Sequence, residues 1–493
     1  MRHPNQLSFC VVGSGTAGLI TSIVLRQAFP NSEITNISSS KIGIIGVGEG
    51  STEHWKMFME RCNIGVDELI RNTGATHKYG IRFENWTNTT PDYFHSISGT
   101  EEVNAWGLIG EYLSFIENEK LITSQTGSIG LIKDKIVREG LHSNTNQYHF
   151  DTFMLNDFLT GICFKRMIKF IDDEVNHVSL DSSGYIDSAQ LNSGASVSAD
   201  IWIDATGLKR QLMGHLDNRS WKSFSDELIV DSAIAFPTEP NPNGKISPYT
   251  RAVAASSGWM WEIPTQTRRG NGYVYSSNHI SEEQAIEEAR KISGYNIEPA
   301  RSFRFDPGYY SEQWKANCIC VGLASSFVEP LEATSIGSTI IQAMHIAQYC
   351  SSFVPGSNKL IADYNSKMEL MMLNIRDMIR LHYLSDRDDT EFWKDVSSAP
   401  ISESLRQMID LWSERAPGHS DVANTGYYMF LTKHFVHVAQ GQGLISRQPS
   451  SLAMDRFGIR SIVEKKSDDI RVSRYSRELV DHKEALMETV YEN

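Results

Sequence analysis

Apolar and polar positions alternate along this chain in two periods, and the changes between them mark its elements. Leu7 to Val12 is a short apolar run ending at glycine, which predicts a buried strand. From Thr16 to about Phe29 the apolar residues recur at helical spacing, and Glu33 to Ile37 returns to a strand, completing a β-α-β unit. Residues 41–53 are glycine-rich and read as a loop. Val66 to Arg71 reads as helix. Lys78 to Trp86 reads as one strand, in which Tyr79, Ile81 and Phe83 alternate with polar neighbours. Phe150 to Phe170 reads as a long helix, followed by strands near Glu174–Leu180, Tyr185–Leu191 and Ile201–Asp204. Leu228 to Ser276 is extended and antiparallel, broken by turns such as Pro240-Asn241-Pro242-Asn243-Gly244. Cys318 to Val321 is a buried strand and Gly337 to Ser351 a helix. Most of the chain beyond Asn358 is helical, ending in a charged amphipathic segment near Ser473–Val490. The pattern predicts an α/β protein in two parts. Residues 1–357 interleave a nucleotide-binding unit with an antiparallel sheet at about 225–280, and 358–493 form a helical region that completes the substrate site.

Composition narrows the function classes. A chain of 493 residues with 40% hydrophobic and 22% charged content is ordinary for a globular protein with a large core. A net charge of -14 argues against nucleic acid or an anionic membrane as the main partner. Six scattered cysteines do not make a disulfide scaffold, and Cys318 and Cys320 read as core thiols. No His/Cys group has zinc spacing, so no metal site is expected. No apolar run is long enough to span a membrane, and the first strand starts too early for a cleaved signal. The expectation is a soluble, reduced, cytoplasmic protein, with homo-oligomer formation left open.

Gly13-Ser14-Gly15-Thr16-Ala17-Gly18 is a G-x-G-x-x-G placed between a strand and a helix. Gly13 permits the tight turn, Gly15 the approach of a pyrophosphate, and Gly18 close helix–strand packing. The helix N-terminus beginning at Thr16 and Ala17 favours negative charge. The ribose-binding acid expected about 20 residues on is missing: the second strand ends Ile37-Ser38-Ser39, and Ser38 offers one weaker hydrogen bond. Asp204-Ala205-Thr206-Gly207 resembles the A-T-G element that closes FAD domains. Gly322-Leu323-Ala324 falls where such proteins meet the flavin, and Val175 where they meet adenine. The order of these pieces favours FAD over NAD.

Trp259-Met260-Trp261-Glu262-Ile263-Pro264 puts two indoles on one face of a strand. The segment matches the W-x-W-x-I-P motif of the flavin-dependent halogenases, and the chain resembles the tryptophan-halogenase-like branch from Val11 to about Trp393. Gly46-Val47-Gly48-Glu49 resembles the loop that straps over the flavin. Thr76-His77-Lys78-Tyr79-Gly80-Ile81-Arg82-Phe83 resembles the segment with the family's catalytic lysine, here Lys78. Phe327 to Ile336 resembles F-V-E/D-P-L-E-S-T-G-I. It places Glu332 as the acidic partner of the lysine, Thr334 and Ser335 at the halide, and Ile336, with Leu323, against the flavin. Tyr148-His149-Phe150-Asp151, and His382-Tyr383 with Arg387, Asp389, Phe392 and Trp393, are framework matches.

The resemblance implies a flavin-monooxygenase-type FAD fold and a FADH2-dependent halogenase. FADH2, O2 and halide yield hypohalous acid, which reaches Lys78 and is spent on an electron-rich aromatic carbon, while Trp259 and Trp261 keep the substrate off the flavin. A haloamine forms only on neutral lysine, so burial must lower the pKa of Lys78, and Glu332 beside it opposes that shift unless it takes the proton. No second NAD(P)H-binding unit is evident, so FADH2 is expected from a separate NAD(P)H flavin reductase. Two departures bear on halide: Ala333 stands where the family has serine, and Ser335 where it has glycine. The first removes a polar group close to Glu332, the second is expected to restrict a tight turn and change the halide pocket, and together they put bromide or iodide ahead of chloride. Tyr93-Phe94-His95-Ser96-Ile97 resembles the substrate-facing H-P-F segment without its Pro and Phe. His95 is thus substrate-side, and a small indole or phenol is expected over free tryptophan. A flavin-dependent aromatic hydroxylase and a non-catalytic flavin-fold binder are the alternatives.

Overall fold

Ser8–Val12 is buried along its whole length because it lies inside a six-stranded sheet. The structure, a computed structural model, describes residues 6–43, 48–89, 92–96, 130–131, 133–138, 145–216, 220–458, 460–461 and 478–491. Val47 of the strap-like segment and Ile97 of the substrate-facing segment lie outside these residues. The sheet runs Trp314–Lys315, Cys318–Cys320, Ile201–Asp204, Ser8–Val12, Glu33–Ser38, Lys169–Asp172. All its neighbours are parallel except the first two. Helix Thr16–Ala28 crosses between Ser8–Val12 and Glu33–Ser38, burying Leu19, Ile20 and Ile23. Nucleotide-type clefts form at the carboxyl ends of such strands, and Gly13, Ser38 and Ala205 follow or end three of them.

The second sheet has seven strands in the order Arg301–Arg304, Ser232–Thr238, Arg269–Tyr275, Gly258–Pro264, Tyr249–Ala254, Gly80–Glu84, Asp92–Ser96. The four from Ser232–Thr238 to Tyr249–Ala254 are the antiparallel run expected from Leu228 to Ser276. Gly80–Glu84 joins them in parallel to Tyr249–Ala254, a pairing that alternation within each segment could not foretell. Trp261 pairs with Gly272, and the indole lies across it: a Cβ there would sit 2.0 Å from the ring.

Two boundaries differ from expectation. Lys78 to Trp86 is broken: Thr76–Lys78 belongs to a separate three-stranded sheet with Glu49–Gly50 and Gln147–Phe150, and Tyr79 links it to Gly80–Glu84. Glycine at position 80 permits the change of sheet, because a Cβ would meet the His95 carbonyl oxygen at 2.3 Å. The long helix is Thr152–Lys165, capped by the Asp151 carboxylate, which accepts from the Phe153 and Met154 amides. Its expected last turn is instead the edge strand Lys169–Asp172 of the first sheet.

After residue 358 the chain is mainly helical, led by Asn358–His382. His482, in the helix His482–Tyr491, accepts at Nε2 from the His77 amide at 3.1 Å. No described helix is long and apolar enough to cross a membrane. The six cysteines are buried free thiols.

Candidate active site

The glycine turn opens a cleft. Gly13 has φ +110°, and a Cβ would overlap the Ala205 carbonyl oxygen at 2.4 Å. A Cβ on Gly18 would meet the Gly13 carbonyl oxygen at 2.0 Å, so helix and strand touch backbone to backbone. A Cβ on Gly15, by contrast, would meet nothing within 4 Å, and this residue caps its helix without a side chain. Unpaired first-turn N–H groups therefore face open space, which suits a pyrophosphate. Gly13, Gly15, Thr16, Ala17, Ser38, Glu49, Val175, Leu323 and Ile336 all line this cleft. Asp204 does not. Its buried carboxylate is spent on the Thr206, Leu212 and Met213 amides and the Thr206 hydroxyl, so it shapes the cleft wall from behind. Burial raises the Glu49 carboxyl to about 7.

A second, more apolar chamber adjoins it. Trp259 and Trp261, 6.0 Å apart between ring centroids, form one wall. Gly50, Glu332, Ala333 and Thr334 also line it. Both cavities share Glu49, Arg301, Leu323, Ser335 and Ile336, so they meet along one boundary. The wall is fixed by polar anchors: Trp259 Nε1 donates to Glu329 Oε2 at 2.6 Å and the Tyr383 hydroxyl donates to the same oxygen at 2.7 Å. Burial pushes Glu329 up to about 7.

Lys78 is fully buried. Its Nζ donates to the Ser51 carbonyl oxygen at 2.9 Å and lies 3.3 Å from where a Cβ on Gly50 would be, beside the Ala333 methyl. Lys78 itself lines neither cavity: its amine sits behind Gly50, which does line the chamber and whose missing side chain leaves the amine close to that wall. Burial lowers Lys78 to about 8, although Glu332 pulls the other way.

Glu332 is equally buried and held by two imidazoles: Oε2 is 2.7 Å from His95 Nδ1 and Oε1 is 2.9 Å from His382 Nε2. Burial alone would raise its pKa, but the charge and hydrogen bonds of His95 and His382 outweigh it and hold Glu332 below the ordinary carboxylate range. It therefore stays ionised, and its charge opposes the shift that burial imposes on Lys78. His95, expected to face substrate, engages Glu332 through Nδ1 and is not among the residues lining the chamber. His382 is the residue that sequence reasoning left as framework. It stacks on Phe83 at 4.4 Å, and its Nδ1 pairs with the Tyr93 hydroxyl at 2.9 Å. Its proximity to Tyr383 and Trp393 in an aromatic-rich motif was the available signal.

Glu332 and Ala333 both have left-handed backbone, with φ of 68° and 53°. The turn that needs positive φ is therefore here. Ser335 has no positive φ and lies in the first turn of helix Thr334–Cys350, so serine in place of glycine strains nothing. The helix is capped by Ala333 without a side-chain bond, leaving the Thr334 and Ser335 amides beside the boundary between the cavities.

Comparison with known proteins agrees with this geometry. The family profile described as tryptophan halogenase matches residues 8–456. The chain is 30% identical over 486 residues to tryptophan 6-halogenase SttH of Streptomyces toxytricini, covering 91% of each. It is 29% identical over 483 residues to tryptophan 7-halogenase RebH of Lentzea aerocolonigenes, covering 89% of this chain and 90% of that one. The crystal structure of SttH superposes with a TM-score of 0.87 at 26% identity, covering 98% of this chain and all of the other. BrvH, a flavin-dependent halogenase from Brevundimonas sp. BAL3, gives 0.84 at 27% identity over 98% and 99%. Enzymes of this kind use FADH2 with O2 and halide and need a separate flavin reductase. With the glycine cleft, the indole wall and the buried lysine in one continuous fold, the chain belongs to the tryptophan halogenase family of flavin-dependent oxidoreductases.

Proposed function

We propose that this protein halogenates an electron-rich aromatic compound of indole or phenol type, with Lys78 receiving the halogen and Glu332 assisting. The observation that carries the reading is the fully buried amine of Lys78, lowered to about 8, beside a chamber that shares its boundary with the cofactor cleft. Bound FADH2 supplies hypohalous acid from O2 and halide. Thr334 and Ser335 present backbone amides to a halide at the helix N-terminus, where the dipole favours an anion. Trp259 and Trp261 form an apolar wall, held in place by Glu329, that keeps an organic ring from the cleft while a small oxyacid passes.

At Lys78 the neutral amine takes the halogen from hypohalous acid, forming N–X and releasing water. The aromatic carbon then attacks the halogen, the N–X bond breaks, and the ring proton must leave. Glu332, kept ionised by His95 and His382, is the base positioned for it. Amine and proton recombine to close the cycle. Bromide and iodide are proposed to serve better than chloride because the Ala333 methyl replaces a polar hydroxyl beside the halide amides. Tryptophan-type substrates are suggested by the names of SttH and RebH; we favour smaller indoles and phenols, since the H-P-F segment is altered at two of its three positions.

The test is mass spectrometry of products from an indole and phenol panel. Assays contain FAD, NADH and a flavin reductase, with chloride, bromide and iodide supplied separately. Halogenated product is expected, most with bromide or iodide. Hydroxylated product without halogenated product would replace this reading by the hydroxylase, and turnover without reductase would remove the partner.

A further inference from the structure

The strand Glu33–Ser38 ends in serine where a nucleotide-binding unit ordinarily carries an acid for the ribose diol. The neighbouring parallel strand Lys169–Asp172 ends beside it in register, with Ser38 opposite Asp172 and the Asp173 amide donating to the Ser38 carbonyl oxygen at 3.0 Å. Three acids follow one another there. Asp172 is spent: its two oxygens accept from the Ser40 amide and hydroxyl, each at 2.8 Å, and it does not line the cleft. Asp173 also lines the cleft, but both its oxygens are engaged, by the amides of Glu174 at 2.8 Å and Ser193 at 3.1 Å. Glu174 differs. It lines the cleft with Ser38, Ser39 and Gly13, and its Oε1 accepts from the Ser39 hydroxyl at 2.9 Å. That bond points the carboxylate at the end of the serine strand and leaves Oε2 for a ligand.

We propose that Glu174 is the ribose-binding acid of this protein: reaching across from the adjacent strand, it accepts hydrogen bonds from the 2′- and 3′-hydroxyls of the FAD adenosine. The inference rests on the reading of the glycine-turn cleft as the FAD site. Ser39 acts through Glu174 as a positioning residue, and Ser38, too short for the task, gives the carboxylate room. The acid has moved from one strand end to the next, and the diol keeps a charged acceptor.

The test is a binding measurement on the full chain, with no turnover required. FAD is titrated by flavin fluorescence, and ADP and 2′,3′-dideoxy-ADP by competition against it, for the wild type, E174Q, and E174Q carrying S38E. The wild type is expected to prefer ADP over its dideoxy analogue by about ten-fold, as loss of a charge-assisted hydrogen bond allows. E174Q loses that preference and binds FAD correspondingly more weakly, while its affinity for dideoxy-ADP is unchanged. S38E restores discrimination, because it returns the acid to its usual strand. A purely structural role for Glu174 weakens all three ligands alike. That result, or E174Q discriminating as the wild type does, overturns the proposal. A wild-type chain that takes up neither FAD nor ADP overturns the reading of the cleft along with it.

Discussion

The cofactor cleft and the amine chamber share a boundary but hold charge in opposite ways. The cleft is lined by a glycine turn and a helix terminus, and the acids Asp173 and Glu174 on its rim are only partly buried. At the chamber wall and behind it, Glu332, Lys78, His95 and His382 are all withdrawn from water, and each is held by a named partner. Main-chain recognition depends on shape and tolerates side-chain exchange. Buried charge depends on every partner being present, because an unpaired buried ion costs several kcal/mol. One fold therefore keeps a shape-dependent cleft next to a buried cluster of charged and polar side chains that depend on one another.

The largest test of this contrast is Lys78→Ala. Halogenated product should fall by about 10²–10⁴-fold, whereas FAD affinity, read by fluorescence titration, should stay unchanged. Halogenation that survives would remove Lys78 from the mechanism. Lysine burial gives a second, thermodynamic readout. Unfolded, Lys78 keeps its proton up to its ordinary value near 10.5; folded, it releases it near 8. Between these values the unfolded chain binds more protons, so stability rises with pH across that window. Lys78→Met should abolish that rise, read in denaturant titrations at pH values between about 8 and 10.5. The halogenation step of the wild type should likewise increase as pH approaches 8 and level off above it, as the neutral amine accumulates.

Gly13→Ala tests the cleft. Its methyl would overlap the Ala205 carbonyl at a left-handed position, a loss of about 2–3 kcal/mol visible in both FAD affinity and melting. Wild-type FAD binding in that variant would contradict the shape argument. Gly272→Ala is the gentlest probe. It forces the Trp261 indole and the Ile234 carbonyl aside at about 1–3 kcal/mol, and should leave FAD affinity intact while more hypohalous acid escapes to a scavenging dye. Unchanged escape would mean the wall does not contain the oxidant.

Legibility in the sequence divides along the same line. The glycine turn and the strands of the first sheet are local features, so spacing and periodicity sufficed for Gly13, Gly15 and Gly18. Lys78 and Glu332 were named only because whole segments resemble a family; their burial and partners are long-range facts. His95 meets Glu332 across 237 residues and His382 meets it across 50, and no local period encodes either. The break at Tyr79 was hidden because alternation continues through it while the chain changes sheets. Ser335 misled for a related reason: a glycine in a motif suggested a left-handed turn, and the turn lies two and three residues earlier.

The amide of His77, next to Lys78, is received by an imidazole from the last described helix, and Leu479–Val480 pairs with Ile136–Val137 just before it. The tail of the chain is thus a clasp on the strand that carries the amine. His482→Ala would slacken the lysine's support from a distance while leaving the glycine-turn cleft untouched.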